Sequence, residues 1–153
     1  MIARSRRPPK TLVAFVVLLL AILFAGCSNP DRVILAHLSD AERARFLSGR
    51  SVAGRCWVCH DLAGTVKKVG PSLLGVYGRQ SGLAPDYRGS DAMLTASIVW
   101  DDRTLGAFLR DPEGFVPGNR MVFAGIQDPR ALADLLFYLQ HVTRPGARTA
   151  EDS

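Results

Sequence analysis

At positions 55 to 60 the chain reads Arg-Cys-Trp-Val-Cys-His. This stretch constrains the fold more than any other, because each chemistry it could serve makes a separate demand on the remaining sequence. Four are open: a disulfide, a zinc ion, a redox-active dithiol and a covalently attached haem. Cys56 and Cys59 are the only thiols in the chain besides Cys27. A structural zinc site takes four protein ligands. Cys56, Cys59 and His60 supply three, and adjacent Cys59 and His60 do not easily face one tetrahedral ion. A dithiol of the thioredoxin kind comes after a strand in a βαβ unit, and no strand-like run precedes Cys56. A disulfide across two residues closes so small a loop that it stabilises little. Cys-x-x-Cys-His as a c-type haem attachment site remains. There the thiols add to the vinyl groups along one porphyrin edge, and His60 sits under the iron as proximal ligand.

Such a site needs a ligand for the other face of the iron. A thioether is soft enough to favour ferrous iron, and His/Met ligation raises the reduction potential. After the N-terminal segment the chain holds two methionines, Met93 and Met121. Met121 lies in a loop punctuated by Pro117 and Gly118 and is the stronger candidate; Met93 is the weaker. His37 and His141 lie near the ends of the domain and are not expected to ligate.

The first 26 residues differ from the rest of the chain. Arg4, Arg6, Arg7 and Lys10 form a basic head, and Leu12 to Ala25 runs apolar without a charge. Together with the small residues after it, this describes an export signal, too short for a comfortable span of about 18 or more apolar residues. Leu23 to Cys27 resembles a lipoprotein processing site, with Cys27 as the acylated residue, although Phe24 departs from that pattern. An uncleaved anchor and ordinary cleavage stay open beside lipidation. All three place residues 28–153 outside the cytoplasmic membrane, on the periplasmic side of a bacterial cell. The chain carries 19 basic and 14 acidic residues. Four of the basic ones lie in the leader, so the mature part is near neutral and offers no basic block for nucleic acid.

From about residue 40 to 143 the chain resembles a class I cytochrome c of the mitochondrial-like bacterial type. The matching stretches are Cys56-x-x-Cys59-His60, residues 70–79 from Gly70 to Arg79, Trp100, Leu105 to Pro112, Pro117-Gly-x-x-Met121-x-Phe-x-Gly125, and Asp134 to Leu139. The resemblance implies one covalent haem c with His60 and Met121 as axial ligands. It also implies that the Pro71 carbonyl accepts a hydrogen bond from His60, and that Arg79, Trp100 and Asn119 hold a haem propionate. Three residues depart from the pattern. Phe108 replaces a tyrosine near the Met sulfur, Gly89 a propionate-contacting tyrosine, and Val52 an aromatic packed opposite Tyr138. These departures imply a looser Met loop and weaker helix docking, and a ring of lysines around the haem edge is missing.

The local signals describe an all-α domain over 39–143, with a leader over 1–26, a tether over 27–38 and a disordered tail over 144–153. Ser39 and Glu42 form a capping box, and Gly49 is expected to break or kink the helix they open. Residues 61–99 hold six glycines before Ser90 and read as loop. A short helix over 101–110 points Leu105, Phe108 and Leu109 inward, and Asp111-Pro112 ends it. Asp128 and Pro129 open a last helix whose apolar face is Leu132, Leu135, Leu136 and Leu139. Trp57 and Val58 are expected to pack.

With both axial positions filled, the iron can only change oxidation state, which makes the expected protein an electron carrier rather than an enzyme. A mobile, membrane-tethered carrier is preferred, running from a quinol-oxidising complex or dehydrogenase to a terminal oxidase or reductase. The alternative is a fixed electron-transfer subunit of one oxidoreductase.

Overall fold

The computed structural model describes residues 31–148 apart from Asp86. The leader over 1–26 and Cys27 lie outside the described residues. The elements, in chain order, are α1 (Arg32–Ala36), α2 (Asp40–Ala53), β1 (Leu83–Ala84), β2 (Tyr87–Arg88), α3 (Asp91–Ala96), α4 (Asp102–Arg110), α5 (Pro112–Phe115) and α6 (Pro129–Val142). The two strands pair antiparallel as a small hairpin, the one sheet among the described residues. The fold is the helical one expected, with that hairpin and α3 inside the stretch expected as loop.

Helix starts obey local chemistry. The Ser39 amide donates to Glu42 Oε2 (2.9 Å) while Ser39 Oγ accepts from the Glu42 amide (3.4 Å), so two orphan donors are satisfied at once. Asp101 and Thr104 do the same for α4. Asp128 accepts from the Arg130 and Ala131 amides at the start of α6, with Pro129 at its first position, where a missing N–H costs nothing.

The core forms where α2 crosses α6. Phe46 and Tyr138, both fully buried, meet edge to face with ring centroids 4.9 Å apart. The aromatic contact expected to be absent because of Val52 is therefore supplied by Phe46, from the same helix. Gly49 also departs from expectation: α2 runs through it unbroken to Ala53. A Cβ there would collide with the Asp134 carbonyl and the Cβ of Tyr138. Close approach of two helices, rather than a break, is what this glycine provides.

Both ends of the described chain belong to the packed domain. Asp31 is fully buried and pairs with Arg50 (3.1 Å) and Arg148 (2.7 Å). Arg148 also donates to the Tyr138 hydroxyl (3.3 Å). Ile34 and Ala147 are buried. Residues of the expected tether from Asp31 onward, and of the expected tail through Arg148, thus contribute to the packing. A carboxylate taken out of water needs such partners, and these two arginines lie far apart in sequence. Among the described residues no helix is long and apolar enough to cross a membrane.

Replacing Gly49 by Ala should cost about 2–3 kcal/mol through overpacking. It should appear as a lower denaturant midpoint with an unchanged slope.

Candidate functional site

The motif cysteines sit on a helical turn that continues past α2. The Cys56 amide donates to the Ala53 carbonyl (2.8 Å), and the Cys59 and His60 amides both donate to the Cys56 carbonyl (3.1 and 2.8 Å). Three-residue spacing on such a turn sets both sulfurs on one side, against a common cleft. The two thiols are not bonded to one another. Burial pushes the Cys56 thiol above its ordinary value, only partly opposed by Arg55, which is unlike the electropositive setting of a reactive thiolate. Among the described residues no group of three or more His, Cys, Asp or Glu is placed to hold a metal ion.

His60 is fixed from behind. Its Nδ1 lies 2.8 Å from the Pro71 carbonyl; a carbonyl only accepts, so Nδ1 carries the proton and Nε2 keeps a lone pair. Burial lowers the His60 pKa, with the Pro71 carbonyl opposing, and a lowered pKa is the direction that a ligating imidazole needs. Gly70 makes this approach possible, since a Cβ there would strike the imidazole. The loop that brings Gly70 and Pro71 to His60 is internally tied. The Asp61 carboxylate accepts from the Ala63, Gly64 and Val66 amides, which hold it below the usual carboxylate range although burial works the other way. Arg79 closes the far end by donating to the Ser72 (2.9 Å) and Leu74 (3.1 Å) carbonyls.

These residues line a cleft of about 260 Å³ that holds Cys56, Cys59, His60, Met93, Arg79, Trp100 and Met121 together. Its inner wall is Leu73, Val76, Leu105, Phe108, Leu109 and Leu139; Arg55, Tyr87, Ser90 and Arg120 add polar groups, and among the described residues no acidic one lines it. Two thiols on one edge, an imidazole whose Nδ1 is held by a carbonyl, thioethers, apolar walls and arginines fit a flat apolar ring bearing carboxylates. That is the chemistry of a haem. Phe108 packs against Trp100 at 5.3 Å and Phe115 at 6.5 Å, filling the wall without a hydroxyl.

Asn119 is placed differently from the expectation. It does not line the cleft; its Nδ2 donates to the Pro112 (2.9 Å) and Val116 (3.0 Å) carbonyls, and its Oδ1 accepts from the Met121 amide (2.8 Å). An amide so committed shapes the turn that presents Met121. Gly118, at φ 80°, lies in the same turn. Met93 shares the cleft. It is held by Ser81, fully buried, whose Oγ donates to the Met93 carbonyl (2.7 Å) and accepts from the Ile98 amide (3.0 Å). Sequence reasoning missed Ser81, Tyr87 and Arg120; only for α4, whose apolar face becomes the cleft wall, was a signal present.

No family model matches the chain. Similar proteins do. Cytochrome c2 of Blastochloris viridis is 34% identical over 117 residues, covering 76% of this chain and 92% of that protein. Cytochrome c of Euglena viridis is 44% identical over 101 residues, covering 66% and 95%. Among solved structures, cytochrome cH from Methylobacterium extorquens superposes with a TM-score of 0.58 at 38% identity, covering 61% of this chain and 95% of that one.

Asn119→Ala should cost about 1–2 kcal/mol, since it strands two carbonyls and one amide that are only partly buried. Hydrogen exchange at the Met121 amide should rise with it, while the α6 amides keep wild-type protection.

Proposed function

The chain belongs to the class I c-type cytochromes, electron carriers with one covalently bound haem c, and from that premise we propose that it shuttles single electrons with His60 and Met121 as axial ligands. The haem, when bound, supplies a one-electron iron couple. The protein's residues do the rest. Cys56 and Cys59 bind the porphyrin edge through thioethers. His60 offers Nε2 to the iron while Pro71 holds the ring still, a device general to ligating histidines. Met121 offers its sulfur from the opposite wall, which favours the ferrous state. Arg79 and Trp100 serve the propionates, whose burial without partners would be costly. The apolar wall excludes water. With His60 and Met121 both holding the iron, substrate and gas would find no free position on it.

The observation that carries this reading is the convergence of Cys56, Cys59, His60 and Met121 on one apolar cleft. The proposed setting is the periplasmic face of a bacterial membrane, with attachment through lipid on Cys27 or through the leader. Donors would be a quinol-oxidising complex or dehydrogenase, and acceptors a terminal oxidase or reductase. One finding favours the fixed-subunit alternative: packing of Asp31, Ile34 and Arg148 into the domain removes most of the flexible length that a roaming carrier would use.

The test is an absorption spectrum of the haem-loaded protein, oxidised, reduced, and reduced under carbon monoxide. The oxidised protein should show the weak far-red charge-transfer band of a thioether-bound ferric iron, and the reduced protein should ignore carbon monoxide at neutral pH. Met121→Ala should lose the band and bind carbon monoxide; Met93→Leu should retain both wild-type properties. Ready carbon monoxide binding by the unaltered protein would mean an open iron face and would sink the electron-transfer reading.

A further inference from the structure

The residues expected to meet the haem carboxylates leave them short of partners. Asn119 spends its amide on its own loop. Gly89 brings no hydroxyl, and a Cβ there would stand 2.6 Å from the Gly82 Cα, so the backbone leaves no room for a side chain. Arg79 commits both terminal nitrogens to the Leu74 and Ser72 carbonyls. Trp100 has a single N–H to give, whereas each carboxylate offers roughly four acceptor sites. Among the described residues no acidic side chain lines the cleft, although Arg55, Arg79 and Arg120 all do. The cleft is built with positive charge in excess.

Arg120 is the arginine with donors to spare. It lines the cleft from the loop that carries Met121, and its Nη2 donates to the Arg88 carbonyl at 2.8 Å. That bond joins the Met121 loop to β2 and uses one of five N–H donors. Those left form a planar fork, which suits a carboxylate taken by two bonds at once. Arg88 offers no competition: its side chain pairs with Asp91 (3.6 Å) and does not line the cleft. Arg55 directly precedes Cys56 and so stands at the thioether edge, away from the Met121 loop in sequence.

We propose that Arg120 binds a haem propionate and, through the Arg88 carbonyl, ties that carboxylate to the loop presenting Met121. An unbalanced negative charge near the iron favours the ferric state, so the guanidinium raises the reduction potential. It also keeps the propionate ionised where burial alone would favour the protonated form. This rests on the reading that puts the propionates beside Arg79 and Trp100.

The test is the reduction potential of the full-length, haem-loaded protein from about pH 4 to pH 8, a range spanning ordinary and burial-raised carboxyl values. The unaltered protein should give a flat profile. Arg120→Gln should match it at the acid end, where the carboxyl is protonated and neutral. As pH rises and the unpaired carboxyl ionises, its potential should fall to about 30 mV lower, a threefold shift at 59 mV per tenfold. Arg120→Lys keeps the charge and should restore the flat profile. Arg55→Gln removes the same charge and should shift the potential without a slope. Infrared spectra with 13C-labelled haem carboxylates give a second readout, which needs only an attached haem and holds even where Met121 is displaced. A protonated carboxyl band should appear at the acid end in Arg120→Gln and be absent from the unaltered protein. Trp100→Phe deletes the indole N–H and reads the earlier placement separately. A slope in Arg120→Gln without one in Trp100→Phe would refute that placement and leave Arg120 standing. A flat profile in Arg120→Gln, an equal slope in Arg55→Gln, or no new carboxyl band would overturn the proposal.

Discussion

The contact between His60 Nδ1 and the Pro71 carbonyl is the interaction on which the rest of the structure depends. It selects the tautomer, and so leaves Nε2 as the nitrogen with a free lone pair. It can form only because Gly70 has no side chain to meet the imidazole. The glycine-rich loop must then be held in register, which falls to Asp61 at its start and Arg79 at its end. A ligand position is thus specified by backbone geometry as much as by the ligand itself.

A second constraint comes from the crossing of α2 and α6. The attachment turn continues directly from α2, so the angle and depth at which that helix packs decide where Cys56, Cys59 and His60 stand. Gly49 sets the depth, Phe46 and Tyr138 fill the crossing, and the Asp31–Arg50–Arg148 cluster closes it from outside. Packing far from the cleft is therefore part of the site. The Met121 side is held separately, by Asn119 and by the short α5, and the two walls meet across Trp100 and Phe108.

Much of this was legible in the residues. Attachment motifs, capping boxes and proline–glycine turns are local, and the chemistry of Cys56, Cys59, His60 and Met121 comes from spacing and residue type. What the sequence hid was set by distant partners. A helical glycine reads as a breaker from propensity alone, whereas Gly49 answers to Asp134 and Tyr138. Asp31 and Arg148 look like solvated end charges until the fold brings them together. Asn119, expected at a propionate, spends its amide on its own loop. Trp57 and Val58 read as core by hydrophobicity, yet the turn that aims both cysteines inward leaves the residues between them outside.

The central claim is that Met121, rather than Met93, closes the iron. Proton NMR of the reduced protein with isotope-labelled methionine methyls addresses it directly, because a methyl bound over the porphyrin face is driven far upfield by the ring current. One such methyl is expected, absent in Met121→Leu and retained in Met93→Leu. An upfield methyl that disappears with Met93, or none at all, would contradict it.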